Sequence, residues 1–174
     1  MQKMIKYVIF KTKWGYFGLA GTESALYRTE LPGPKPKKIE SRLLKNLPDA
    51  QFEKTYSKVL QKQIIAYFDG ASVNFGPDIR VDFNGFGNFS RKVLTTCRNI
   101  KFGQSICYSE LAKKAGRPAG GRAVGNVMAK NPMPLIIPCH RVLRTDGKMG
   151  GFSAPGGISL KRKMLTLEQK AVKT

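Results

Sequence analysis

The sequence predicts an α+β chain in two parts, a small sheet-bearing first half and a mostly helical second half. Three observations carry this. Short β-rich runs crowd residues 4 to 30, amphipathic helical spacing takes over after about residue 86, and the turn-rich Asn84-Gly85-Phe86-Gly87-Asn88 lies between them. The boundary is placed at 85/86, giving a scaffold domain of residues 1–85 and a second domain of residues 86–174. A chain of 174 residues is long enough for both parts to bury a core.

In order, Met4 to Phe10, Tyr16 to Ala20 and Ala25 to Arg28 read as three strands of an antiparallel sheet, separated by Trp14-Gly15 and Gly21-Thr22. Pro32-Gly33-Pro34-Lys35-Pro36 reads as an exposed loop and Ile39 to Leu44 as a short helix. A better helix runs from about Glu53 to Phe68, with Tyr56, Val59, Leu60, Ile64, Ile65 and Phe68 on one face and Gly70 as its stop. Ile79, Val81 and Phe83 alternate as one more half-buried strand.

In the second half, Phe89, Val93, Leu94, Cys97 and Ile100 fall at helical spacing, which makes Cys97 a core residue. A short helix follows from Ser109, a suitable N-cap, to Gly116. After the turn Arg117-Pro118-Ala119-Gly120 comes a helix over Gly121 to Lys130. It turns Ala123, Val124, Val127 and Met128 inward and Arg122, Asn126 and Lys130 outward. Two short helices around a Gly/Pro turn, the second with a basic outer face, fit a helix-turn-helix; an ordinary helical hairpin would look the same without the charge. A glycine-rich loop, Gly150 to Gly157, reads as a pocket rim before a last helix from Ser159 to Lys170.

Composition limits the function classes. Lys and Arg total 31 against 11 Asp and Glu, a formal charge of +20, which suits a polyanion and above all nucleic acid. No apolar stretch is long enough for a membrane span, and lysines interrupt Met1-Gln2-Lys3-Met4-Ile5-Lys6-Tyr7 where a signal peptide would need an apolar core. A cytoplasmic or, in a eukaryote, nuclear protein is therefore expected. Three cysteines without a C-x-x-C pair, and a single histidine, give no disulfide framework and no zinc site; no metal and no cofactor are expected.

The chemistry concentrates in Pro134-Leu135-Ile136-Ile137-Pro138-Cys139-His140-Arg141-Val142, an apolar run read as a buried strand or extended segment that ends in a cysteine beside the only histidine. A thiol needs a neighbouring base or cation to become a nucleophile, and His140 is the one side chain of suitable pKa. Against this, a cysteine in an apolar run is most often a small hydrophobe, and neighbours on a strand point to opposite faces. Lys161 and Glu168 share nearly one face of the last helix. If that face meets the Cys139 segment, Glu168 is placed to orient His140, whereas sequence alone favours a surface glutamate.

Asn131-Pro132-Met133-Pro134 running into Pro138-Cys139-His140-Arg141-Val142, with Gly121-Arg122-Ala123-Val124-Gly125 upstream, resembles the O6-alkylguanine-DNA alkyltransferases. The resemblance covers Phe89 to Glu168, and the first half fits that family's ribonuclease H-like N-terminal domain ahead of a winged helix-turn-helix-like C-terminal domain. It implies direct reversal of DNA damage. The alkyl group of O6-alkylguanine, with O4-methylthymine as a further expected substrate, passes once and irreversibly to Cys139. His140 would act through a water as base, Glu168 would hold His140, Asn131 would brace the active-site turn, and Tyr108 would turn the nucleotide and assist the departing guanine. Arg122 would enter the duplex where the flipped base had been. Gly121, Ala123, Gly125, Asn126 and Ser90 would meet the DNA minor groove, and Phe152, Ser153, Val142 and Met128 would line the pocket. The implied partner is double-stranded DNA, bound by a monomer. Phe152, where many relatives have tyrosine, and an apparent insertion at Ala154-Pro155 are departures that bear on pocket size.

Two other classes fit parts of the sequence. A helix-turn-helix binding protein with an inert Cys139 would bind DNA and transfer nothing, and a cysteine hydrolase would turn over.

Overall fold

In the computed structural model, residues 3–174 are described; Met1 and Gln2 of the N-terminal run lie outside them. The chain separates into two compact units, Met1–Asp82 and Phe83–Thr174.

Unit 1 is built on a four-stranded sheet of order β3-β2-β1-β4, made of β1 (Lys6–Thr12), β2 (Gly15–Gly21), β3 (Leu26–Gly33) and β4 (Gln51–Phe52). β1 and β2 form a hairpin closed at the pair Thr12↔Gly15. Gly15 has φ +120, and a Cβ there would stand 2.6 Å from the Gly33 carbonyl oxygen, so the turn needs glycine. Along β2 the side chains alternate. Gly18 faces α1 (Pro36–Leu43), where a Cβ would come within 3.1 Å of both Leu43 and Ile39; Phe17 faces α2 (Lys58–Phe68), its ring 6.0 Å from that of Phe68. The sheet therefore carries a helix on each face, and Val8, Phe17, Leu19, Ile39, Leu43, Ile64, Tyr67 and Phe68 fill the core.

Several expectations need correction here. β3 runs through Pro32 to Gly33, where a loop was expected, because it pairs with β2 as far as Tyr16↔Gly33. α1 starts at Pro36, since a proline at the first helical position loses no hydrogen bond. α2 starts at Lys58, five residues later than the periodicity predicts. Ser57 is left-handed at φ 50, Tyr56 packs from the preceding turn, and Val59 is solvent-exposed on the outer side of the helix. Residues 79–83 form no strand. Val81 makes one isolated bridge to Leu26, and the fourth strand is β4, parallel to β1.

Unit 2 contains α3 (Asn88–Arg98), β5 (Ile106–Cys107), α4 (Tyr108–Lys114), α5 (Gly121–Ala129), β6 (Val142–Leu143) and α6 (Gly157–Lys173). α3, α4 and α5 pack mutually through Val93, Leu94, Cys97, Leu111, Ala112, Val124 and Met128. β5 and β6 pair in parallel, Ile106↔Val142 and Cys107↔Leu143, placing the residue after Cys107 beside the segment that follows Cys139. Ser109 is not the N-cap of α4. Cys107 holds that position, while the Ser109 hydroxyl lies 3.0 Å from Cys107 Sγ and 3.2 Å from Thr145 Oγ1. Among the described residues, no helix is long and apolar enough to cross a membrane.

Candidate active site around Cys139

The expected strand before Cys139 is absent. Leu135 is left-handed at φ 77, Pro134 bridges back to Ile137, and Cys139–Arg141 form a single 3-10 turn. Prolines at 134 and 138 remove two backbone donors that a ladder would need, and buried Met133, Leu135, Ile136 and Ile137 instead anchor a compact loop. Asn131 holds this loop from inside. Its Nδ2 donates to the Ile137 carbonyl at 2.9 Å, and its Oδ1 accepts from the Met133 N–H at 3.0 Å.

The turn presses Cys139, His140 and Arg141 against α6, and all three are buried. His140 Nε2 lies 2.7 Å from Glu168 Oε1. Arg141 grips the same carboxylate, with Nε 3.0 Å from Oε2 and Nη2 3.0 Å from Oε1, while its Nη1 donates to the Ile100 carbonyl at 2.6 Å. The Gly103 N–H completes the set at 3.0 Å from Oε2. Burial pushes the Glu168 carboxyl up, but the hydrogen bonds and charges of His140 and Arg141 outweigh it and hold the group at about 2. Arg141 is the permanent cation, so Glu168 stays ionised beside a neutral imidazole; burial lowers the His140 pKa despite the carboxylate.

Burial raises the Cys139 thiol pKa, opposed by a hydrogen bond from Asn131, the Lys161 ammonium and the backbone N–H groups of Cys139 and His140. Lys161 is itself fully buried on α6, one turn before Met164 and two before Glu168. Its Nζ donates to the Val142 carbonyl at 2.6 Å and lies 5.7 Å from the Tyr108 ring and 6.0 Å from the Phe152 ring. Desolvation lowers its pKa.

Above Cys139 opens a cavity of about 770 Å³. Gly121, Arg122, Gly125 and Met128 of α5 form one wall, Tyr108 of α4 a second, and Gly150, Gly151, Phe152 and Ser153 a third. Burial raises the Tyr108 pKa, so its hydroxyl keeps its proton at neutral pH. Such a space takes a planar ring, with a thiol on its floor and a hydroxyl donor on its side.

The structure thus gathers Cys139, His140, Glu168, Asn131, Tyr108, Arg122, Gly121, Gly125, Met128, Phe152 and Ser153 around one cavity or its supporting network. Val142 does not belong to the cavity lining: its side chain is fully buried in the core because β6 turns it inward, and its carbonyl serves Lys161. Asn126 is exposed on the outer side of α5, Ala123 is half-buried on a different side of that helix, and Ser90 is half-buried in the first turn of α3. Sequence reasoning missed Arg141, Lys161 and the rim residues Arg144, Thr145 and Asp146. Arg141 lies inside the motif, and seven-residue spacing places Lys161 on the Glu168 face, but the sequence reading gives neither a role in the site.

The chain is similar to known proteins in both sequence and fold. The pattern of the family described as 6-O-methylguanine DNA methyltransferase, DNA binding domain, matches residues 88–170. The chain is 34% identical to the methylated-DNA–protein-cysteine methyltransferase of Methanosarcina acetivorans over 93% of this chain and 97% of that one. It is 39% identical to the protein of the same name from Methanothermobacter thermautotrophicus, there over 64% of this chain and 60% of that one. Among solved structures, Mycobacterium tuberculosis OGT in complex with DNA superposes with a TM-score of 0.78 at 29% identity, covering 95% of this chain and 94% of that one.

Proposed function

The chain belongs to the methylated-DNA–protein-cysteine methyltransferase family, and on that premise we propose that it repairs O6-alkylguanine in double-stranded DNA by moving the alkyl group onto its own Cys139. The single observation that supports this most is Cys139 on the floor of a ring-sized cavity, backed by the His140–Glu168 pair.

The reaction is a displacement at carbon. His140 draws the Cys139 proton through a bridging water, and Glu168, fixed by Arg141 and the Gly103 N–H, stabilises the imidazolium that forms. Asn131 and the backbone N–H groups of the 3-10 turn, with Lys161 nearby, favour the thiolate. A sulfur lone pair attacks the alkyl carbon as the bond from that carbon to O6 breaks, and the electron pair leaves with the guanine. Tyr108 hydrogen-bonds the base as negative charge develops, and Ser153 is the donor toward O6. The product is a thioether, with no carbonyl for water to attack, so each molecule acts once. O4-methylthymine offers the same carbon-to-oxygen bond and is the second substrate proposed.

The base reaches the cavity only outside the stack. Arg122, exposed on α5 at the cavity edge, occupies the gap in the duplex. Gly121 and Gly125, on the cavity side of the same helix, keep it slim enough for the minor groove, with Ala123, Asn126 and Ser90 as flanking contacts. Residues 86–174 carry binding and chemistry, and residues 1–85 serve as scaffold. The protein works as a monomer without a metal or cofactor, wherever the cell keeps its DNA, in cytoplasm or nucleus.

Intact-protein mass spectrometry after mixing with an oligonucleotide containing one O6-methylguanine tests this. One added methyl group, mapping to Cys139 and saturating at one per protein, is expected. Unchanged mass with DNA still bound would move the assignment to a DNA-binding protein, and a transient adduct to a hydrolase.

A further inference from the structure

The cavity mouth carries a cation that the proposed chemistry does not use. Arg144 is exposed and yet lines the cavity, so its side chain stands at the opening and not on the floor with Cys139. Its place is set by the short parallel ladder whose last pair is Cys107↔Leu143, because the residues that follow on the two strands, Tyr108 and Arg144, both line the cavity. The guanidinium therefore shares a rim with the tyrosine.

The turn that carries Arg144 keeps its shape without this side chain. The Arg144 N–H donates to the Lys148 carbonyl and the Gly147 N–H to the Arg144 carbonyl, each at 2.9 Å, and Gly147 supplies the left-handed residue at φ 76. Asp146 Oδ1 accepts the Lys148 N–H at 3.1 Å, and Thr145 Oγ1 lies 3.2 Å from the Ser109 hydroxyl of α4. The guanidinium itself makes a loose contact, Nη2 to Asp146 Oδ2 at 3.4 Å, longer than the 3.0 Å at which buried Arg141 grips Glu168. Lys148 Nζ stands 3.9 Å from the same Asp146 oxygen. Asp146 thus has a second cation at hand, and Arg144 can leave it without stranding a carboxylate.

A base inside the cavity stays joined through its sugar to two phosphates, and these remain outside, at the mouth. On the repair reading Arg122 is occupied in the gap that the base leaves, so it does not serve them. A planar guanidinium suits a phosphate, to which it donates two parallel N–H bonds, and an exposed ion pair such as Arg144–Asp146 holds little against that exchange. We infer that Arg144 is a substrate-positioning residue, gripping a phosphate that flanks the extruded nucleotide and so setting the depth at which the alkyl carbon meets Cys139. The inference rests on the repair reading of the cavity. Asp146, which lines the same rim, holds the guanidinium at the mouth until DNA takes it.

The experiment is a cycle between Arg144 and the two phosphates beside the lesion. Affinity is read by fluorescence anisotropy on the full chain in a Cys139→Ser background, so that binding is measured without transfer. The probe is a duplex with one O6-methylguanine, either with all phosphates intact or with a neutral methylphosphonate on its 5′ or its 3′ side. With Arg144 present, one of the two replacements should weaken binding about tenfold, the range of a hydrogen-bonded charge. Arg144→Gln should weaken binding of the intact duplex by about the same factor, and the same replacement should then cost less than about twofold more. Its slope of log affinity against log salt should be shallower by about 0.9, one phosphate contact, whereas Arg144→Lys, which keeps the charge, should retain the slope. Asp146→Asn should tighten binding at low salt, because it removes the competitor for the guanidinium. Equal sensitivity to both replacements with and without Arg144→Gln would overturn the inference. So would an Asp146→Asn variant that binds as weakly as Arg144→Gln, since both would then act by holding the turn. Failure of the chain with Cys139 intact to take the methyl group from this duplex would overturn the repair reading instead, while the cycle, which needs no transfer, still decides the role of Arg144.

Discussion

The two units of this molecule bury different things. Among the described residues, the polar groups buried in unit 1 are threonines, Thr12, Thr22 and Thr29, set in a core of aromatic and branched side chains. Unit 2 buries His140, Arg141, Lys161 and Glu168. A hydroxyl costs little to desolvate once bonded, as Thr12 is to the Gly15 carbonyl at 2.8 Å; a charge costs several kcal/mol and persists only where partners repay it. Unit 1 is packed for stability. Unit 2 bears that cost in the turn that holds Cys139 and in the stretch of α6 packed against it.

The sharpest way to separate the two is to remove the thiol. Cys139→Ser should slow methyl transfer by about a thousandfold or more, because a hydroxyl is far less readily ionised than a thiol, while duplex affinity measured by fluorescence anisotropy stays near wild type. Equal loss of binding and transfer would mean that Cys139 acts through folding.

Next in size are paired core changes. Phe17→Ala in unit 1 should cost about 3–5 kcal/mol through its cavity. Glu168→Gln in unit 2 should cost a similar amount, about 3–5 kcal/mol, by leaving Arg141 without its anion. Trp14, the only tryptophan, lies in unit 1 and its ring is 5.2 Å from that of Phe68. Urea unfolding followed by its fluorescence should report Phe17→Ala most strongly, and far-UV circular dichroism should report Glu168→Gln. Folded Phe17→Ala should transfer methyl at the wild-type rate, whereas folded Glu168→Gln should not.

Acid should widen the same contrast. Glu168 titrates near 2 when folded against an ordinary 4.5, so its stabilisation, roughly 3 kcal/mol, is complete above 4.5 and is lost as pH falls from there toward 2. His140, with its pKa lowered by burial, begins to favour the unfolded state as pH drops through 6.5. Both effects have one sign, so the circular-dichroism transition should weaken steadily below neutrality and the Trp14 transition should move less.

The smallest effect on stability belongs to Arg122→Ala, within about 0.5 kcal/mol for an exposed side chain. Its kinetic effect should be selective, with transfer from duplex DNA falling roughly tenfold and reaction with free O6-methylguanine nearly unchanged. Equal loss on both substrates would remove Arg122 from the duplex.

Periodicity made α5 and the interior of α3 legible, because Val124, Met128, Val93 and Leu94 fall at the spacing a buried helical face requires. It failed at β4, where two exposed residues, Gln51 and Phe52, pair with β1 and leave no pattern to read. It also invented a strand over residues 79–83, because alternation says nothing about whether a partner strand is available. In the site, Cys139 and His140 were visible as a motif. Arg141 and Lys161 were not, since a charged residue is expected at the surface until its tertiary partner is known, and theirs lie 27 and 19 positions away. The loop before Cys139 was misread for a similar reason: apolar β-branched residues suit a strand, but Leu135 in a left-handed conformation ends it.

Gly150 sets the Tyr108 ring against bare backbone. Its φ is 37, and a Cβ there would stand 2.8 Å from Tyr108 Cε2 and 3.1 Å from its hydroxyl. The loop is therefore moored to the aromatic at one point, beyond which Phe152 and Ser153 line the cavity. On the repair reading, a change of loop length beyond Gly150 should alter which adducts are accepted while transfer from O6-methylguanine keeps its wild-type rate, a separation that single-turnover kinetics on two adducts would check.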